Sequence, residues 1–130
     1  MNYYTCLILG GNEGRCSHIA KCASEQDFSV VKTRGVIEFV HSYGFYKPEC
    51  VVIDYDSFGG DPLLEALINS DKSFLTEAVM ISDKKEDNFT TVTFDRLCDA
   101  LKERKKSITE LKLININKND MEKASSIVSQ

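Results

Sequence analysis

A chain of 130 residues, 42% hydrophobic and 28% charged, has the length and make-up of one soluble globular domain with a real core. A net charge of −4 without a long basic tract excludes a domain that holds nucleic acid by its phosphates, and no apolar run approaches the ~20 residues that cross a bilayer. Five cysteines, an odd number without repeated spacing, speak against a disulfide framework.

The opening stretch MNYYTCLILGG has no basic leader, so no secretory signal is expected and the domain reads as cytoplasmic. Tyr3 to Leu9 predicts a strand, apolar on both faces as an interior strand of a parallel sheet should be, and ended by Gly10-Gly11. Cys16, Ile19, Ala20 and Ala23 then recur at helical spacing between Gly14 and Glu25. Phe28 to Lys32 predicts a second strand, and Val36, Ile37 and Val40 mark a helix that ends before Gly44. Cys50 to Ile53 is a third, buried-type strand closed by Asp54, and a loop from Tyr55 to Gly60 follows. Asp61 is a good N-cap and Pro62 a good first helical residue for a helix buried through Leu63, Leu64, Leu67 and Ile68.

Ala78 to Ile81 predicts a fourth strand followed by Ser82, and Asp83 to Asn88 a polar loop. Phe94, Leu97, Cys98 and Leu101 give an amphipathic helix. The remainder reads in two ways. In the first, Leu111 to Ile116 is the fifth strand, and Asn119 with Glu122 caps a last helix faced by Met121, Ala124, Ile127 and Val128. In the second, Phe89 to Val92 is the fifth strand and Phe94 to Arg104 the last helix, with residues 107–130 a linker toward an output domain. Either parse alternates strands and helices five times, which calls for a single α/β domain: a doubly wound, flavodoxin-like sheet of five parallel strands in the order 2-1-3-4-5.

Several clusters have ordinary readings. Cys16, His18 and Cys22 lie close together, but residues two apart diverge on a helix and no second ligand pair follows, so burial as small apolar groups is expected. Lys102 to Lys106 suits a solvated helix end, and His18 and His41, without an acid partner, suit the surface. The turn from Gly10 to Gly14 follows a strand but lacks the spacing of a dinucleotide or phosphate loop; a nucleotide or flavin site there is the weaker reading.

In open α/β sheets chemistry collects at the carboxyl ends of the strands, which here carry Gly10 to Glu13, Asp54, Ser82 and, in the first parse, Lys118. An acid, a hydroxyl and an amine converging there suit a phosphoryl group, with a hard cation neutralising the charge. The stretch KPECVVIDYDSFGGDPLLEAL resembles the phosphoacceptor region of the receiver domains of bacterial response regulators. The resemblance places Asp54 on the acceptor, Gly59 and Asp61 on the following loop, Ser82 on the switch hydroxyl and Lys118 on the lysine after the last strand. Where receivers carry two adjacent acids that help hold Mg2+, this chain has Gly11 and Asn12, leaving Glu13, Asp54 and Asp56 as the acids for such an ion.

The resemblance therefore implies a degenerate receiver, not an enzyme, with weak or absent aspartyl phosphorylation. It implies a role in transcriptional regulation through a protein partner, a homodimer or an absent DNA-binding effector domain, docked on the last two helices and fifth strand. A working phosphoreceiver that takes phosphate on Asp54 from a histidine kinase is the alternative.

Overall fold

Five parallel strands run in the order β2-β1-β3-β4-β5 in the computed structural model, which describes residues 4–70, 74, 77–86 and 89–128, residues 115–128 by backbone alone. They are β1 (Thr5–Leu9), β2 (Ser29–Thr33), β3 (Cys50–Asp54), β4 (Ala78–Ile81) and β5 (Thr91–Val92). The helices are α1 (Glu13–Glu25), α2 (Val36–Tyr46), a single turn α3 (Tyr55–Phe58), α4 (Pro62–Ser70) and α5 (Leu97–Val128), the last entered through a 3-10 turn at Phe94–Arg96. This is the expected flavodoxin-like order. Among the described residues no helix is long and apolar enough to cross a membrane.

Alternation along the strands sends successive side chains to opposite faces, and both faces are covered. Cys6, Ile8, Cys50, Val52, Val79 and Ile81 pack under Cys16 and Ile19 of α1 and Leu97, Leu101 and Ile108 of α5. Leu7, Leu9, Val51, Ile53 and Met80 pack under Val36 and Phe39 of α2, Leu64 and Ile68 of α4, and Phe74. The register pairs Cys6 with Cys50 and Leu9 with Ile53, so β1 and β3 end side by side. The chain leaves β1 toward β2 and β3 toward β4, so a crevice opens at their carboxyl ends.

Local chemistry sets the boundaries. Asn12 caps α1 by accepting from the Arg15 amide at 2.9 Å. Asp61 Oδ1 caps α4 as expected, accepting from the amides of Leu63 at 3.0 Å and Leu64 at 3.2 Å. Helix α2 runs past Gly44 to Tyr46, where Lys47 takes the left-handed conformation (φ 47°) that ends it. Its core residues are Val36 and Phe39, while Ile37, expected inside, is 70% exposed.

The C-terminal third follows the second parse in its strand and goes beyond it in its helix. Thr91–Val92 pairs with Met80–Ile81 and takes the edge position, so Leu111 to Ile116 is not a strand. With no Gly or Pro after Gly60 and Pro62, nothing in the chain breaks α5, which spans 32 residues, about 48 Å. Asn119 and Glu122 therefore begin no helix, and the 107–130 segment is helical as far as Val128. The basic Lys102–Lys106 run is mid-helix, not a helix end; Lys105 Nζ donates to the Gln26 carbonyl at 2.8 Å and lies 5.3 Å from the Phe28 ring centroid.

Helices α4 and α5 lie on opposite faces of the sheet. One disulfide is present: Cys22 of α1 bonds Cys98 of α5, 76 residues apart, while Cys6, Cys16 and Cys50 are free and buried. A loop of that length restrains the unfolded chain by about 4–5 kcal/mol in the chain-entropy account.

Burial predicts where α5 matters to the body. Leu101 is fully buried and Leu113 is 56% exposed. Urea unfolding should therefore lose about 2–5 kcal/mol in Leu101→Ala and within about 0.5 kcal/mol in Leu113→Ala.

Candidate functional site

Asp54 ends β3 with its side chain 0% exposed, in the crevice between β1 and β3. A carboxylate removed from water must be paired. Arg15, in the first turn of α1, supplies the pairing as a two-pronged salt bridge: Nε to Oδ2 at 2.6 Å and Nη2 to Oδ1 at 2.8 Å. The Gly11 amide donates to Oδ2 at 3.2 Å and the Ser57 hydroxyl at 3.3 Å. The Asp54 carboxylate in turn raises the Arg15 pKa above its ordinary value, chiefly through its hydrogen bonds from the guanidinium. The other side of the guanidinium meets Phe94, 4.4 Å from its ring centroid.

The two positions where an acidic pair was expected serve this arrangement. A Cβ on Gly11 would run into Ser57 and come 2.8 Å from Asp54 Oδ2, so only glycine lets its amide reach the carboxylate. Asn12 is the cap that starts α1 and thereby aims Arg15. Close approach, not a left-handed turn, also explains Gly10, where a Cβ would meet the backbone of Cys16 at 2.9 Å.

Asp56 and Ser82 form a second knot. Ser82 Oγ donates to Asp56 Oδ1 at 2.6 Å, and the Asp83 amide donates to Oδ2 at 3.0 Å. The Ser82 hydrogen bond and then the Asp83 amide hold the Asp56 carboxyl below its ordinary pKa. Tyr55, beside it on α3, donates to Glu65 Oε1 at 2.6 Å, which pushes the phenol up to about 12 and ties α3 to α4. Tyr55 and Asp56 were expected in a loop; α3 closes over them through the Gly59 amide on the Tyr55 carbonyl at 2.7 Å.

The expected site residues thus divide. Asp54 and Ser82 both sit at the carboxyl edge, but Ser82 engages Asp56 rather than Asp54. Glu13 lines a different cleft, with Cys16, Ser17, Lys32 and Arg34. Lys118 lies inside α5, not after a strand, and so is not at the strand ends in the expected way. Arg15, Ser57 and Phe94 escaped the sequence reading. A signal for Arg15 existed: a cation in the first turn of a helix opposes the helix dipole and needs an acid nearby.

The Mg2+ that the resemblance implies does not fit these residues. Both oxygens of Asp54 are taken by Arg15, both of Asp56 by Ser82 and Asp83, and Glu13 lines a different cleft. Among the described residues no three His, Cys, Asp or Glu side chains gather as a metal site. Searched against known proteins, the chain matches no family model and no curated protein.

Because the folded Asp56 pKa is depressed, its contribution to stability is complete above the unfolded value of about 4 and is lost as pH falls through the folded value. Ser82→Ala should raise the Asp56 pKa toward the ordinary range in a carboxyl NMR titration. It should also flatten the fall in unfolding midpoint below about pH 4; an unmoved Asp56 titration would show that the Ser82 contact does not set it.

Proposed function

We propose that this chain is a receiver-like signalling domain that works without phosphate, in a cytoplasmic setting, by binding protein. The observation that carries the reading is the Arg15–Asp54 pair. In a phosphoacceptor the carboxylate must present an oxygen to phosphorus while a divalent cation neutralises the incoming charge. Here a cation built into α1 occupies that role permanently and leaves Asp54 fully buried. Arginine stays protonated near neutrality, so the cation of this pair keeps its charge. The reading is of a binding module rather than an enzyme, and a role in transcriptional control follows only from the likeness to receivers.

For a partner surface, the distal part of α5 supports a second copy of the chain. Lys112 still touches the body, over Tyr4 at 4.4 Å, but Leu111, Leu113 and Ile114 are 54%, 56% and 60% exposed. Leu111, Ile114, Lys118, Met121, Ser125 and Val128 recur at alternating steps of three and four, the spacing of a coiled-coil seam. A lone helical extension of this length is marginal in water, and a partner helix packed along this spacing would bury exposed Leu111 and Ile114.

Intact mass after incubation with acetyl phosphate and Mg2+ tests the first part. The native chain should gain no phosphoryl group; a gain that Asp54→Asn abolishes would establish a working phosphoreceiver instead. Arg15→Ala should cost about 2–3 kcal/mol, less than a fully buried pair because Arg15 is 37% exposed. Light scattering tests the second part. A concentration-dependent dimer is expected, converted to monomer by Leu111→Glu with Ile114→Glu, and a native monomer at all concentrations would exclude the seam.

A further inference from the structure

Helices α1 and α5 meet along two facing stripes that join the disulfide to the Asp54 site. On α1, Arg15, His18 and Cys22 stand at i, i+3 and i+7; opposite them, Phe94 and Cys98 stand at i and i+4. At one end Cys22 bonds Cys98, with Cα atoms 5.3 Å apart. One step along, His18 Nε2 is 3.8 Å from Cys22 Sγ, and the His18 ring stacks on Phe94 with centroids 4.9 Å apart. At the other end Phe94 carries the Arg15 guanidinium at 4.4 Å, and Arg15 holds Asp54.

Little else anchors the start of α5. The preceding strand β5 has two residues, and no helix joins it to β4 among the described residues. The position of Phe94 over Arg15 therefore depends on the packing of Leu97 and Leu101 and on the covalent tie at Cys98.

We propose that Cys22–Cys98 is a reversible thiol–disulfide site whose state sets how firmly Arg15 is clamped on Asp54. This rests on the reading of Arg15 as the built-in cation of the site. In a cytoplasmic setting a disulfide is transient or sensing rather than structural. The pair suits exchange: Cys98 is half-buried and open to a small disulfide, whereas Cys22 is 2% exposed and suited to resolve. Cys6, Cys16 and Cys50 are free and at most 3% exposed, and stay out of the reaction.

The co-reactant is a small-molecule disulfide such as glutathione disulfide. The Cys98 thiolate attacks one of its sulfurs, the external S–S bond breaks, and one thiolate leaves. The Cys22 thiolate, its proton passed to His18 and then to water, attacks Cys98 Sγ and expels the second. The two cysteines lose two electrons and two protons; the external disulfide gains both electrons and becomes two thiols.

The test equilibrates the full chain in glutathione buffers of graded redox ratio, followed by acid quench, denaturing alkylation and intact mass. Three labelled cysteines should give way to five in one two-thiol step as the buffer becomes reducing, and Cys22→Ser should trap a glutathione adduct on Cys98. Five labels at every ratio, or three even in fully reducing buffer, would overturn the reversible site. In parallel, hydrogen exchange of the Arg15 Nε–H, read by NMR, should quicken at least tenfold on reduction. Cys98→Ser should show the fast rate in both buffers; equal rates in oxidised and reduced native protein would overturn the coupling to Asp54. Neither readout involves a phosphodonor, so a phosphoryl gain on Asp54 would sink the phosphate-independent reading and leave the thiol result standing.

Discussion

The end of β3 places a carboxylate out of contact with water, and the structure around it is arranged to make that tolerable. A buried Asp without a partner costs several kcal/mol, so a donor set must converge on it. Arg15 brings the charge, Gly11 a backbone amide made accessible by the lack of a side chain, and Ser57 a hydroxyl. Each donor constrains its own element. Asn12 must cap α1 where it does for Arg15 to reach, α3 must follow β3 at once for Ser57 to turn back, and Phe94 covers the guanidinium from the 3-10 turn that enters α5.

That arrangement changes what the crevice can do. Open crevices at the switch point of a parallel sheet ordinarily leave charged groups free for a ligand. Here the acids at β3 and α3 are satisfied from within the protein, Asp54 by Arg15 and Asp56 by Ser82 and the Asp83 amide. The second knot also ties α3 to the end of β4. The crevice is a strut between elements more than a vessel. Helix α5 packs through Leu97, Leu101 and Ile108 on the face that α1 also covers and runs on for 20 residues past Ile108.

Strands β1, β3 and β4 and helices α1 and α4 were legible in the sequence because their signals are local. Runs such as CVVID need no neighbour to be recognised as buried strand, and Asp61-Pro62 states a helix start in two residues. The position of Asp54 at a strand end was legible for the same reason. Leu111 to Ile116 misled because its alternation fits a strand, yet a strand exists only if an edge is free to pair with, and Thr91–Val92 holds that edge.

By itself, then, the sequence determined the class of fold, the strand order expected of it and the carboxyl edge as the place where polar groups gather. Periodicity and capping act over a few residues and survive without tertiary context. Only the tertiary structure decided that Arg15 neutralises Asp54 across 39 positions, that Ser82 serves Asp56 across 26, and that Cys22 meets Cys98 across 76. Such pairings depend on how sheet and helices bring distant segments within a few ångströms, and no spacing along the chain encodes them.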